Sequence, residues 1–304
     1  MSNTVLAIIE MDRFPQAVSK RAAWIARQYS CDLELVLSDP TLGVLRDSYM
    51  VSNESKQLAD GIRQAQEIVL KELAESVADD DLAVTTSITH ERPASDAVVA
   101  IALDREPRFV VKGTAYHSPA ERARFTFTDW QLIRKLMVPL WLVKPRGWSE
   151  TPVIIAAIDP THRHDKDHLI DQLILDAGKS LAARCEGKLM LLHTYERLVE
   201  IGSHAMMSLK PVRLPIEELD QEIRIKHRQK LDNLATKNDI PAADVHQLPG
   251  RTRDILPAFA REYDADLVIM GALARTGLRR RVLGSTAEQV LDDLPCDILI
   301  VRPD

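Results

Sequence analysis

Displacing the chain by 158 residues lays one segment over another without an insertion: Gly113 falls on Gly271 and Pro145 on Pro303 (271 − 113 and 303 − 145 both equal 158). Arg108-Phe-Val-Val-Lys-Gly113 then overlies Asp266-Leu-Val-Ile-Met-Gly271, and Pro139-Leu-Trp-Leu-Val143 overlies Asp297-Ile-Leu-Ile-Val301. Asp96 and Asp254 share the same offset. Each opens an amphipathic helix, with Val98, Val99 and Ala102 on one apolar face and Ile255, Leu256 and Phe259 on the other. Self-similarity of this length restricts the chain to two copies of one unit. Its 304 residues give each copy about 150, enough to bury a core of its own.

Inside each copy, short apolar runs alternate with helical spacing. Leu6 to Glu10 and Ile154 to Asp159 read as first strands that end in a carboxylate, and Leu33 to Leu37 and Leu189 to His193 as second strands. Leu169, Ile170, Leu173, Ala177 and Leu181 mark one helical face. A charged helix is expected from about Ile216 to Asn238, buried through Ile216, Leu219, Ile223, Leu231 and Leu234, whereas Glu200 to Leu214 has no clear period. Strands alternating with helices imply right-handed βαβ crossovers and a parallel sheet covered on both faces. The polar, proline-bounded stretch Pro145 to Pro152 reads as a linker, which sets the domains at 1–146 and 152–304.

Composition removes several classes of function. A formal charge of −6 provides no basic field for a nucleic acid, although a local pocket can still hold a small phosphorylated ligand. Cys31, Cys185 and Cys296 are odd in number and lack CxxC spacing, so neither a disulfide framework nor a zinc site is expected. The run Met1 to Glu10 has no basic flank and is too short to span a membrane, so the cytoplasm is the expected location.

The chemistry concentrates near the C-terminus. Leu267 to Met270 is a buried strand, and Gly284-Ser285-Thr286 precedes the helical spacing Ala287, Val290, Leu291 and Leu294. A strand therefore feeds a loop that ends at a helix N-terminus, where unpaired N–H groups and the helix dipole favour phosphate. Glycine admits a close guest and the two hydroxyls add donors. In an open parallel sheet the ligand lies beyond the strand tips where strand order reverses, which is the place expected for Asp159 and Gly271.

The order Gly271, two residues, Ala274, nine residues, Gly284-Ser285 resembles the glycine spacing of the universal stress protein family, with alanine in place of the second glycine. Arg275-Thr276-Gly277-Leu278, Leu283 to Glu288 and the closing Pro295 to Val301 are similar to that family too, and the resemblance covers both copies. It implies an α/β chain of two tandem Rossmann-like, adenine nucleotide alpha hydrolase-like domains. Each would be an open five-stranded parallel sheet in the order 3-2-1-4-5 with helices on both faces.

Carried over to this sequence, the resemblance places Ala157, Asp159 and Thr194 around adenine and ribose, and Gly271, Ala274, Arg275, Gly284, Ser285 and Thr286 around the phosphates. The ligand would be ATP or another adenine nucleotide, weakened by the Ala274 methyl, with no metal other than magnesium carried in with it. In the first copy Tyr116, Thr126 and Phe127 replace the second glycine, the third glycine and the serine, and Glu10 replaces Asp159, so that copy reads as degenerate for nucleotide. It would act as an intrachain partner mimicking the homodimer of single-domain relatives, or hold a different and less polar ligand, and a homodimer of the whole chain is also open.

No catalytic constellation is visible, so a non-enzymatic stress-response module is expected. Ala177-Gly178-Lys179-Ser180 lacks the earlier glycine of a P-loop, and His162, His164 and His168, which with Asp165 and Asp167 could form a divalent site, more commonly mark a solvated helix entry. Trp130 and Trp141 read as core or domain-interface residues rather than stacking platforms. The alternative is a structural or interaction protein without nucleotide, holding an apolar or acyl-bearing metabolite among Tyr116, Phe125, Phe127, Met206 and Met207. Slow ATP hydrolysis would have Asp159 as its one candidate base.

Overall fold

The computed structural model describes residues 3–44, 53–114, 128–161, 169–197, 216–272 and 290–303. The chain divides into two units, one made of residues 1–147 with the late strand 297–302, the other of residues 148–296.

The first unit opens with β1 (Thr4–Ile9), buried from Val5 to Ile9, as a central strand covered on both faces must be. Helix α1 (Pro15–Tyr29) begins on a proline and ends at Ser30, whose left-handed backbone returns its N–H to Ala26 and Arg27. Val18, Ala22 and Ile25 form its inward stripe. Then follow β2 (Asp32–Ser38), α2 (Asn53–Glu75), β3 (Val84–Thr89), α3 (Ala94–Arg105), β4 (Phe109–Gly113), α4 (Thr128–Lys135) and β5 (Leu140–Val143). These five strands are parallel and lie in the order β3-β2-β1-β4-β5. The expected 3-2-1-4-5 sheet is therefore present.

All four residues of β5 are buried, so its outer edge needs cover. The late strand β10 (Asp297–Val301) supplies it, running antiparallel with Leu299 opposite Trp141. Asp297 pins the strand, accepting from the Trp141 indole at 3.1 Å and the Lys144 amide at 2.9 Å and pairing with Arg21 at 2.9 Å. By the 158-residue offset β10 is the fifth strand of the second copy, yet its contacts group it with the first. The apolar edge of β5 explains why.

The second unit contains β6 (Val153–Ala157), α5 (Leu169–Cys185), β7 (Lys188–Tyr195), α6 (Ile216–Lys237), β8 (Val245–Pro249), α7 (Thr252–Glu262) and β9 (Leu267–Gly271). Its four strands are parallel in the order β9-β6-β7-β8. The approach to β6 is held by buried Asp266, which accepts from the amides of Ser149 and Val153 and from the Ser149 hydroxyl.

Two helical faces differ from expectation. In α5, Leu169 and Leu173 are exposed while Ile170, Ile174, Leu175, Gly178 and Leu181 are buried, because the helix turns Asp171 inward to hold the Asp159 amide. Gly178 lies inside that helix, where a Cβ would sit 2.8 Å from Leu189 Cδ1, so the residue serves close packing. In α6, Leu231 and Ala235 are buried and Leu219 is exposed. Trp130 and Trp141 are core residues, as expected.

Candidate functional site

In the second unit the register sets the tip. Ala157 pairs with Leu192 and Ala156 with Ile269, so continuing each ladder brings Asp159 level with Thr194 and Ile158 level with Gly271. The four described residues expected at the nucleotide, Ala157, Asp159, Thr194 and Gly271, thus share one end of the sheet. The other five, Ala274, Arg275, Gly284, Ser285 and Thr286, lie outside the described residues, as do Tyr116, Phe125, Thr126, Phe127, Met206, Met207 and the three histidines at 162–168.

Each tip residue has local work. Asp159 Oδ1 accepts from the Thr161 amide at 3.2 Å and from its hydroxyl at 2.6 Å, closing the turn after β6. The Asp159 amide donates to Asp171 Oδ1 at 3.0 Å, tying that turn to α5. The Thr194 and Thr252 hydroxyls are 2.6 Å apart, which joins β7 to the start of α7. At Gly271 a Cβ would lie 2.5 Å from Ile170 Cγ1, so the glycine also lets α5 approach the strand tip.

Sequence reasoning missed a histidine pair beneath this tip. His193 Nδ1 lies 3.2 Å from the Ile158 carbonyl, which can only accept, so that nitrogen carries the proton. His193 Nε2 lies 3.0 Å from His227 Nδ1, within hydrogen-bond distance. Burial pushes the His227 imidazole below its ordinary range, opposed by Asp159 and reinforced by Lys230. The two histidines are 34 positions apart on different elements, so only tertiary packing discloses them.

The first unit has a cleft of about 490 Å³ at the equivalent place, with Glu10, Arg13, Ser38, Asp39, Lys112 and Asp129 among its lining. Lys112 is buried at its edge, 2.6 Å from Glu10 Oε2 and 2.6 Å from Asp129 Oδ1. Its ammonium also donates to the Gly113 carbonyl at 3.1 Å, and the Thr114 hydroxyl donates to Asp129 Oδ2 at 2.8 Å. Burial works to lower the Lys112 pKa, but the Asp129 and Glu10 carboxylates outweigh it and raise the value. Burial likewise raises Glu10 against the pull of Lys112. A lysine inside the otherwise apolar run Phe-Val-Val-Lys-Gly was a legible signal, since buried lysines need partners.

The universal stress protein family model matches residues 1–144 and again 153–302. The chain belongs to this family. Universal stress protein E of Salmonella typhi and that of Escherichia coli K12 are each 24% identical to it over 312 residues, spanning all of this chain and 95% of the relative. A universal stress protein from Pseudomonas aeruginosa UCBPP-PA14 shares the fold at a TM-score of 0.66 and 21% identity, covering 100% of this chain and 94% of that one. One from Archaeoglobus fulgidus matches at 0.64 and 14%, covering 99% of each. This tandem universal stress protein has, among its described residues, no group of His, Cys, Asp and Glu side chains arranged to hold a metal. No described helix is long and apolar enough to cross a membrane.

Proposed function

We propose that this tandem universal stress protein is a cytoplasmic, non-enzymatic stress-response module whose second unit binds an adenine nucleotide or a related phosphorylated metabolite. The observation that carries the reading is the meeting of Asp159, Thr194 and Gly271 at one sheet end, where strand order reverses between β6 and β9. The sequence that follows Gly271 has the spacing that ends on Gly284-Ser285-Thr286, ahead of the helical spacing Ala287, Val290, Leu291 and Leu294.

Asp159 would accept from ribose or adenine, Ala157 and Thr194 would border the base, and Gly271, Ala274, Arg275, Gly284, Ser285 and Thr286 would hold phosphate. Met270 and Ala272, buried on either side of Gly271, bring no carboxylate to the tip of β9, which leaves Asp159 as the one carboxylate among the four described residues at this end. Magnesium accompanying the nucleotide would be screened by phosphate rather than by a protein cage. Binding would favour one state of the loop from Gly271 to Gly284 and alter the surface offered to a partner, which requires different affinities for two loop states.

Calorimetry with ATP on the native chain and on Gly284→Asp tests the reading. A saturable heat lost in the variant supports it; equal heats, or none in either, remove it. Phosphate release by the native chain no faster than by a Gly271→Ala, Ser285→Ala variant supports the non-enzymatic reading.

A further inference from the structure

The offset between the copies assigns a counterpart to each member of the buried network. Lys112 falls on Met270, Thr114 on Ala272 and Asp129 on Ala287, while Gly113 falls on Gly271. Three polar residues that bond to one another in the first unit are thus apolar in the second. Asp129 lies in the first turn of α4, and its carboxylate is drawn to the tip of β4 by Lys112 and Thr114. A strand tip facing a helix's first turn is where an open α/β unit holds an anion. There the first unit has one of its own, at 4% exposure.

We propose that Asp129 is an internal stand-in for a ligand's phosphate, so that the Lys112, Glu10 and Asp129 cluster excludes phosphorylated ligands from the first-unit cleft. The ammonium has three protons and three acceptors, Glu10, Asp129 and the Gly113 carbonyl, and so has none to offer a guest. One cation against two carboxylates leaves the cluster net negative, and an approaching phosphate meets repulsion across a poorly solvated site. The cleft that remains accepts a ligand that is neutral or cationic at this end. The inference rests on reading the strand tip as the anion position, and does not require that the second unit bind anything.

Sodium tripolyphosphate is the probe, titrated calorimetrically into the full chain carrying Gly284→Asp so that the second unit is silenced. With the first unit intact, no saturable heat is expected. Asp129→Asn, which keeps the shape and removes the charge, and Asp129→Ala, which also opens space, are each expected to create one site per chain. That site should be at least about tenfold tighter than any residual binding by the parent, the worth of one charge-assisted phosphate contact. Adding Lys112→Met should abolish it.

Circular dichroism melts report whether each variant folds. The proposal is overturned if folded Asp129→Asn binds no tighter than its parent, or if the gain survives Lys112→Met. Failure of both Asp129 variants to fold also overturns it, because the carboxylate would then be a determinant of folding and not of selectivity. Absence of ATP binding by the native chain, together with a gain in the Asp129 variants, would sink the nucleotide reading and leave this one standing.

Discussion

Replacing Lys112 by methionine, the residue that occupies the same place in the second copy, is the sharpest probe of the first unit. The side chain is 2% exposed and its ammonium lies 2.6 Å from each of two carboxylates that are themselves largely buried. Removing one partner of such a cluster strands the other charges, a loss on the order of 3–5 kcal/mol. For a unit of about 150 residues each kcal/mol lowers the melting temperature by roughly 2–4 °C, so a drop of about 6–20 °C is expected. Tryptophan fluorescence is a suitable readout, because Trp24, Trp130 and Trp141 belong to the first unit and Trp148 to the second.

Adding Asp129→Ala and Glu10→Gln to Lys112→Met removes the stranded charges and should restore stability to within about 1–2 kcal/mol of the native chain. The sign with pH also follows. In the native chain Lys112 is raised, so its contribution is present below the ordinary lysine range and is lost only as pH rises through the higher folded value. In Lys112→Met the stranded carboxylates take up protons more readily folded than unfolded, so the deficit is largest at neutral pH and shrinks as pH falls. A loss below about 1 kcal/mol for the single variant, or no recovery in the combined one, refutes the energetic reading of the network.

Three further outcomes are expected. Asp297→Ala should cost about 3–5 kcal/mol in urea unfolding, because it leaves the Arg21 guanidinium without its 2.9 Å carboxylate partner and removes the acceptor of the Trp141 indole; a change within experimental error contradicts the role given to it. His227 is held below its ordinary value mainly by burial, so the unfolded state binds the proton first and stability present above the ordinary value of 6.5 is lost as pH falls. Urea unfolding at about pH 7.5 and about pH 5 should show a smaller acid loss in His227→Phe than in the native chain, and equal losses would argue against it. Gly271→Ala sets a methyl 2.5 Å from Ile170 Cγ1 and should destabilise the second unit by about 1–3 kcal/mol, partly relieved by Ile170→Ala; no loss would show that α5 moves away freely.

Much of the fold was legible in the sequence because burial patterns and repeats are local in the chain. The runs at β1, β6 and β9 are almost wholly apolar, and β4 is so but for Lys112, since both faces of a parallel sheet are covered, and the 158-residue offset carried the architecture of one copy onto the other. The α6 boundary emerged within one residue at Lys237, where its charged pattern ends. Half-buried faces were less legible, as with Leu169 and Leu173, because a leucine at the right spacing looks the same whether it faces the sheet or solvent.

The sequence alone determined that there are two copies of a β-α unit, that their strand tips carry a carboxylate and a glycine, and that just one copy keeps the Gly271 to Gly284-Ser285 spacing. Tertiary structure decided where polar groups meet across distant positions: Lys112 with Glu10 and Asp129, His193 with His227, Asp297 with Arg21. It also decided that β10 covers the apolar edge of β5. Periodicity encodes which face a residue turns to the core. The partner a buried charge finds there depends on how separate elements converge, and spacing along the chain carries no record of that.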